Sequence, residues 1–242
     1  MMAFRSLNRL VMGMVLVSLA MYLMHIKGVS RLLMGIFLVL NIGTLEDAWV
    51  DSMVKAGKKA AELGVPVILD PVGAGATKLR TEAAKRILAE TNVTLVRGNA
   101  SEILALGGGA AKTRGVDAAD TVEAASERAV TLADELGVPV AITGQTDFIT
   151  DGKRVLRVAN GHPLMGCVTG TGCGATAIIG AFAGADTDPV AAAATGLSYY
   201  GLAGEVAADG AAGPGTFMIR FQDALHALTW EELKHGSRIQ EG

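Results

Sequence analysis

The sequence predicts an α/β fold, a mostly parallel central sheet with helices on both faces, and three observations carry that reading. Half of the 242 residues are apolar while only 5% are aromatic, so the core must be built from Ala, Val, Leu and Ile. Short, wholly apolar runs of strand length recur along the chain. Each of the first runs is followed by a segment with helical spacing of apolar residues, the alternation that buries a parallel sheet on both sides.

Before residue 38 the chain is unlike the rest. LVMGMVLVSLAMYLM (10–24) is almost continuously apolar and follows Arg5 and Arg9, as the core of a signal peptide would. No small-x-small cleavage site follows, and about 15 residues fall short of the roughly 20 that span a bilayer as a helix. A buried helix, a segment foreign to the rest of the gene and a membrane anchor are the three readings, with membrane attachment the least favoured. The domain boundary is placed there: 1–37 as an atypical apolar segment and 38–242 as one α/β domain.

LVLNIG (38–43) reads as a buried strand, and Trp49, Met53, Ala56, Ala60 and Leu63 then recur at helical spacing. VPVILD (65–70) is the next strand, followed by the loop PVGAGAT and a helix over 81–90. VTLVRG (93–98) is the third, after which Asn99 caps a short helix containing Glu102. A flexible stretch, GGGAAKTRGVDAAD (107–120), precedes a helix over 121–136, and VPVAIT (138–143) is the fourth strand. FITDGKRVLRV places Asp151 and Gly152 between two strand-like runs, which predicts a tight hairpin and an antiparallel edge. Helices then follow over 172–185, 188–208 and 215–228, ending in a polar tail.

The formal charge of −3 and the lack of a long basic run leave no electrostatic footprint for nucleic acid. Cys167 and Cys173 match neither a zinc knuckle nor a disulfide framework, so free thiols in a reducing cytoplasm are expected. His25, His162, His226 and His235 show no metal-ligand spacing. The chain has no G-x-x-x-x-G-K-[ST], which excludes a P-loop, and GTGCGA is not followed by the acid at a strand end that a dinucleotide-binding unit needs.

The chemistry gathers where strands end. In GCVTGTGC, Gly170 and Gly172 flank a turn leading into a small-residue helix, so bare N–H groups at a helix start can face a phosphate or the charge of phosphoryl transfer. Cys173 sits at that start, a position expected to lower its pKa and let it take a proton from an alcohol. Asp70 closes an otherwise apolar strand, at the sheet edge where open α/β folds bind ligands. Arg97, Asn99 and Glu102 bring a cation, an amide and an acid to the same edge. Arg97 suits ATP phosphates, while Asp70 and Glu102 suit Mg²⁺, directly or through water. Thr143 and Gly144 offer a hydroxyl and a bare backbone for a nucleotide. Taken one at a time, each has a plain structural alternative: a cap, a turn or a solvated charge.

LVLNIGTL, VILDPVGAGAT, RGNASEI, AITGQTDFITDG and NGHPLMGCVTGTGC, in this order and spacing, resemble the hydroxyethylthiazole kinase family. The resemblance implies a ribokinase-like three-layer fold, a homotrimer with sites near subunit interfaces, and ATP-dependent phosphorylation of 4-methyl-5-(2-hydroxyethyl)thiazole in thiamine biosynthesis. It also implies roles: Arg97 and Thr143 for ATP; Asp70 and Glu102 for magnesium; Gly170 for the substrate; Gly172 in the anion hole; Cys173 in place of the aspartate base of other ribokinase-like enzymes. Asn99 and Gly144, read from the strand ends, join the cofactor-binding candidates. Residues 1–37 lack the Asn-Ile-Thr-Asn-like start and Met-containing loop of the family, so the first elements are expected to be missing or replaced. A nucleotide-binding but inactive remnant is the alternative function, ahead of a membrane-anchored binding protein.

Overall fold

The computed structural model describes residues 36–108 and 118–242. The apolar segment 10–24 and most of the stretch 107–120 lie outside the described residues. Seven strands form one sheet in chain order: β1 (Leu38–Asn41), β2 (Val67–Asp70), β3 (Leu95–Asn99), β4 (Val140–Thr143), β5 (Asp147–Thr150), β6 (Val155–Val158) and β7 (Ile239–Glu241). β1 to β4 are parallel, and every pairing from β4 to β7 is antiparallel. The helices are α1 (Asp47–Glu62), α2 (Lys78–Glu90), α3 (Ala100–Leu106), α4 (Ala118–Leu136), α5 (Thr171–Ala183), α6 (Pro189–Ala208), α7 (Pro214–Ala227) and α8 (Trp230–Gly236).

The alternation of strand side chains divides the core in two. Val67, Leu69, Val96, Val140 and Ile142 point to the face covered by α1 to α4. Ile68, Leu95 and Ala141 point to the opposite face, covered by α5, α6 and α7. Val67, Ile68 and Leu69 are fully buried, each contributing roughly 1.5–3 kcal/mol by transfer from water. A central strand buried on both faces reads as a continuous apolar run, which is why VPVIL carries no alternation of its own. Helices on both sides of a sheet that is parallel over β1 to β4 make this a three-layer α/β architecture.

Three details differ from the reading of the sequence. The buried stripe of α1 is Val50, Val54, Gly57 and Ala60, one position round from the expected Trp49, Met53, Ala56, Ala60 and Leu63. Leu63 is 65% exposed. Both stripes fit the helical period, and packing against the sheet selects between them. The hairpin is looser than a two-residue turn: Asp151 Oδ1 accepts from the amides of Lys153 and Arg154 at 3.0 and 2.8 Å, and Gly152 takes φ +90° in a four-residue loop. The tail after α7 folds as α8 and edge strand β7, with Gly242 N donating to Val155 O at 3.1 Å. Its strand is too short and polar to show periodicity.

Candidate active site

The carboxyl ends of the parallel strands bring two pairs of polar residues to one edge of the sheet. Register pairs Asn41 with Asp70 across β1 and β2, and Asn99 with Thr143 across β3 and β4. Asp70 is 1% exposed. Its Oδ2 accepts from Asn41 Nδ2 at 2.8 Å and from the Thr176 hydroxyl at 3.0 Å. Its Oδ1 is buried without a hydrogen-bond partner among the described residues, with Arg97 Nη1 3.9 Å away. Burial pushes the Asp70 carboxyl above the usual carboxylate range; Arg97 and the two donors pull it back.

Arg97 rises from β3, buried, with its Nη2 donating to the Thr143 hydroxyl. Its guanidinium lies against the backbone of Gly172, where a Cβ would stand 3.0 Å from Nη1. A side chain at position 172 would crowd the guanidinium, which would have to give by a few tenths of an ångström. Gly170, the N-cap of α5, has φ +95°, a left-handed conformation that glycine adopts without strain. The first amides of α5 have no intrahelical acceptor, and the first bond of the helix is Gly174 N to Gly170 O at 2.8 Å.

Glu102 is buried within α3, whose capping box it completes: Oε2 accepts from Asn99 N at 2.9 Å while Asn99 Oδ1 accepts from Glu102 N at 2.9 Å. Its Oε1 accepts from Gly73 N at 2.8 Å. Both oxygens thus already hold backbone donors, and Glu102 ties the β2–α2 loop to the β3–α3 turn.

Asp70, Arg97, Asn99, Glu102, Gly170, Gly172 and Cys173 line one open cleft of about 170 Å³, completed by Val72. Thr143 joins the cleft through Arg97. Gly144 stands apart: its amide donates to Asp147 Oδ1 at 3.0 Å, so its backbone is not bare on that side.

The thiol of Cys173 corrects an expectation. Position at a helix start was to lower its pKa; instead, burial first and the neighbouring Asp70 carboxylate second push it up, against a hydrogen bond from Asn41 Nδ2 at 3.2 Å. Half-burial beside an acid outweighs the helix terminus, and the neutral thiol is the favoured form in the cleft as it stands.

Asp70 Oδ1, buried and without a hydrogen-bond partner among the described residues, is the kind of hard oxygen a divalent cation takes, while Glu102, whose oxygens already hold backbone donors, would meet such an ion only through water. Among the described residues no group of three or more His, Cys, Asp or Glu is placed to hold a metal ion, so such an ion would depend on phosphate and water oxygens for its remaining ligands.

Sequence reasoning overlooked Asn41 and Thr176. Asn41 carries the signal that singled out Asp70, a polar residue closing an apolar strand. Thr176 lies one turn into α5, fully buried, and nothing in the sequence sets it apart.

An open sheet, parallel over β1 to β4, whose carboxyl edge joins a buried acid, an arginine and a glycine-opened helix start defines a ribokinase-like enzyme. The chain belongs to the hydroxyethylthiazole kinase family, whose model matches residues 27–231. The match begins ahead of the boundary expected after Phe37. A hydroxyethylthiazole kinase of Desulfotalea psychrophila is 56% identical over 204 residues, which cover 84% of this chain and 75% of that protein. One from Moorella thermoacetica is 48% identical over 202 residues, covering 84% and 76%. The structure of the hydroxyethylthiazole kinase protein from Pyrococcus horikoshii OT3 superposes with a TM-score of 0.77 at 39% identity, covering 85% of this chain and 77% of that one.

Proposed function

We propose that this protein transfers the γ-phosphoryl group of ATP to the primary hydroxyl of 4-methyl-5-(2-hydroxyethyl)thiazole. The observation that carries the reading is the buried, unpartnered Asp70 Oδ1 facing Arg97 across the Gly170–Gly172 helix start, in a chain about half identical to proteins that bear that activity's name. The hydroxyl oxygen attacks phosphorus, the bond from phosphorus to the ADP oxygen breaks, and the hydroxyl proton passes to water and so to solvent.

Phosphoryl transfer asks little covalent chemistry of a protein and much positioning. Arg97, held by Thr143, would grip phosphate oxygens, with Asn99 and Gly144 at the nucleotide side. The amides opened by Gly170 and Gly172 would receive the charge that spreads over the transferring group, and Gly170 would meet the acceptor. Mg²⁺, bound at Asp70 Oδ1 and through water at Glu102, would supply the positive charge that phosphate oxygens need. Cys173 would stand beside the acceptor hydroxyl; as a thiol favoured in its neutral form it is a weak base, and slow turnover is expected.

A homotrimer is the assembly to test, and the exposed apolar Met218, Ile219 and Trp230 give a surface for subunit contact. A cytoplasmic setting is part of the proposal; no helix among the described residues is long and apolar enough to cross a membrane. The deciding experiment incubates purified protein with ATP, Mg²⁺ and the thiazole alcohol and looks for the phosphorylated thiazole by mass. Product is expected, abolished by Asp70→Ala. ATP binding without product under any condition would instead favour an inactive remnant.

A further inference from the structure

Asn41, which contacts two residues of the cleft lining, has no role assigned by the sequence, and its contacts are specific. Its Oδ1 accepts from Gly43 N at 2.9 Å, which settles the orientation of the amide, because only the oxygen can face a backbone N–H. Nδ2 must then point the other way. It donates to Asp70 Oδ2 at 2.8 Å and to Cys173 Sγ at 3.2 Å. One NH₂ group therefore spans the acid proposed for the metal and the sulfur proposed beside the acceptor hydroxyl.

We infer that Asn41 is a positioning residue for phosphoryl transfer, orienting Cys173 Sγ against Asp70 from the end of β1. The inference rests on the kinase reading of the cleft. A sulfur that accepts from Asn41 cannot turn its own proton toward Asn41, so a neutral thiol directs S–H elsewhere and keeps a lone pair fixed. The two sides of the contact differ in redundancy. Asp70 Oδ2 keeps the Thr176 hydroxyl when Asn41 is removed, so the effect of Asn41 passes mainly through Cys173.

Asn41 is itself held firmly. β1 pairs it with Asp70, and the backbone just beyond is anchored by Arg80, whose guanidinium donates to Ile42 O at 3.1 Å and Gly43 O at 3.0 Å. A side chain placed this firmly, yet only half-buried, is placed for what it faces.

The test measures kcat and the KM for ATP in Asn41→Ala, Cys173→Ala and the double variant. Asn41→Ala should lower kcat roughly 10- to 100-fold, with the KM for ATP within about threefold. In the Cys173→Ala background the same change should cost no more than about threefold, because residues acting as a unit are not additive. An unchanged kcat, or the same loss in both backgrounds, overturns the inference. Should Asn41→Ala fail to fold, Asn41→Asp keeps the volume but turns the donor into an acceptor against Asp70 and Sγ, and must lose at least as much. Separately, the side-chain amide protons of Asn41 should shift in the NMR spectrum of Cys173→Ala and not of Cys167→Ala; no shift also overturns it. Absence of product from the wild-type protein would sink the kinase reading instead, and the amide spectrum would still decide the contact.

Discussion

Asp147 Oδ1 accepts the amide of Gly144 at 3.0 Å, so the turn leaving β4 is tied back by a buried carboxylate from the strand that follows. Burial raises this carboxyl from its ordinary 3.8 to about 7, against the Gly144 bond and the charge of Arg97. The native state thus binds the proton more tightly than the unfolded chain between those two values. Its contribution to stability is full below about pH 4 and is lost as pH rises through about 7. Asp147→Asn keeps an acceptor for Gly144 without the charge. The Tm of the variant should therefore gain on that of the wild type as pH rises from about 5 to 8, and a constant difference would show that the group does not titrate there.

Arg80 joins two loops of the cleft. Besides its bonds to Ile42 O and Gly43 O, it donates to Val72 O at 2.9 Å, and its stem packs under Gly73, which sits at φ +73°. Planar donors reach three carbonyls at once, a geometry that lysine does not reproduce. Both Arg80→Lys and Arg80→Ala should lower stability by roughly 1–3 kcal/mol in urea unfolding. Phosphorylation should fall as well, because Asn41 and the Gly73 amide on Glu102 both depend on those loops.

Much of the frame behind these contacts could be read in advance, and the exceptions have physical causes. VPVILD announced a buried central strand with Asp70 at its end, since an isolated acid after four apolar residues has few other places to go. RGNASEI announced the α3 cap, since Asn followed three residues later by Glu is a local, self-contained pattern. Thr176 was silent because its role depends on a carboxylate 106 positions away. The thiol of Cys173 was misjudged for the same reason: a helix start can be seen in sequence, while the burial and the Asp70 charge that oppose it arise only from packing.

Thr176→Val tests that hidden support. Valine matches the shape of threonine and removes only the hydroxyl that Asp70 Oδ2 receives at 3.0 Å in a fully buried position. Leaving a buried carboxylate short of a donor should destabilise the fold by about 1–3 kcal/mol. The KM for ATP should rise less than kcat falls if Asp70 rather than Arg97 loses its orientation. Stability equal to wild type would mean that water or Asn41 replaces the hydroxyl.

Far from the cleft, Asp188 performs two tasks at the start of α6. Its Oδ1 caps the helix, accepting from Val190 N at 3.0 Å and Ala191 N at 3.2 Å, and its carboxylate takes both Nη atoms of Arg154 at 2.7 and 2.8 Å. Arg154 first, and the helix amides with it, hold the carboxyl at about 2 instead of 3.8. A depressed acid stabilises the fold above its unfolded value, and that stability is lost as pH falls from about 4 through about 2. Asp188→Asn keeps a capping oxygen but not the ion pair, while Asp188→Ala removes both. Because the pair is partly exposed, screening limits its share to about 0–1 kcal/mol, and the cap adds roughly 0.5–2 kcal/mol. Unfolding at neutral pH should therefore rank wild type above Asp188→Asn and Asp188→Ala lowest, with salt narrowing only the first gap. Arg154→Ala should reproduce the asparagine variant; if it matched the alanine variant instead, the cap would hold nothing by itself.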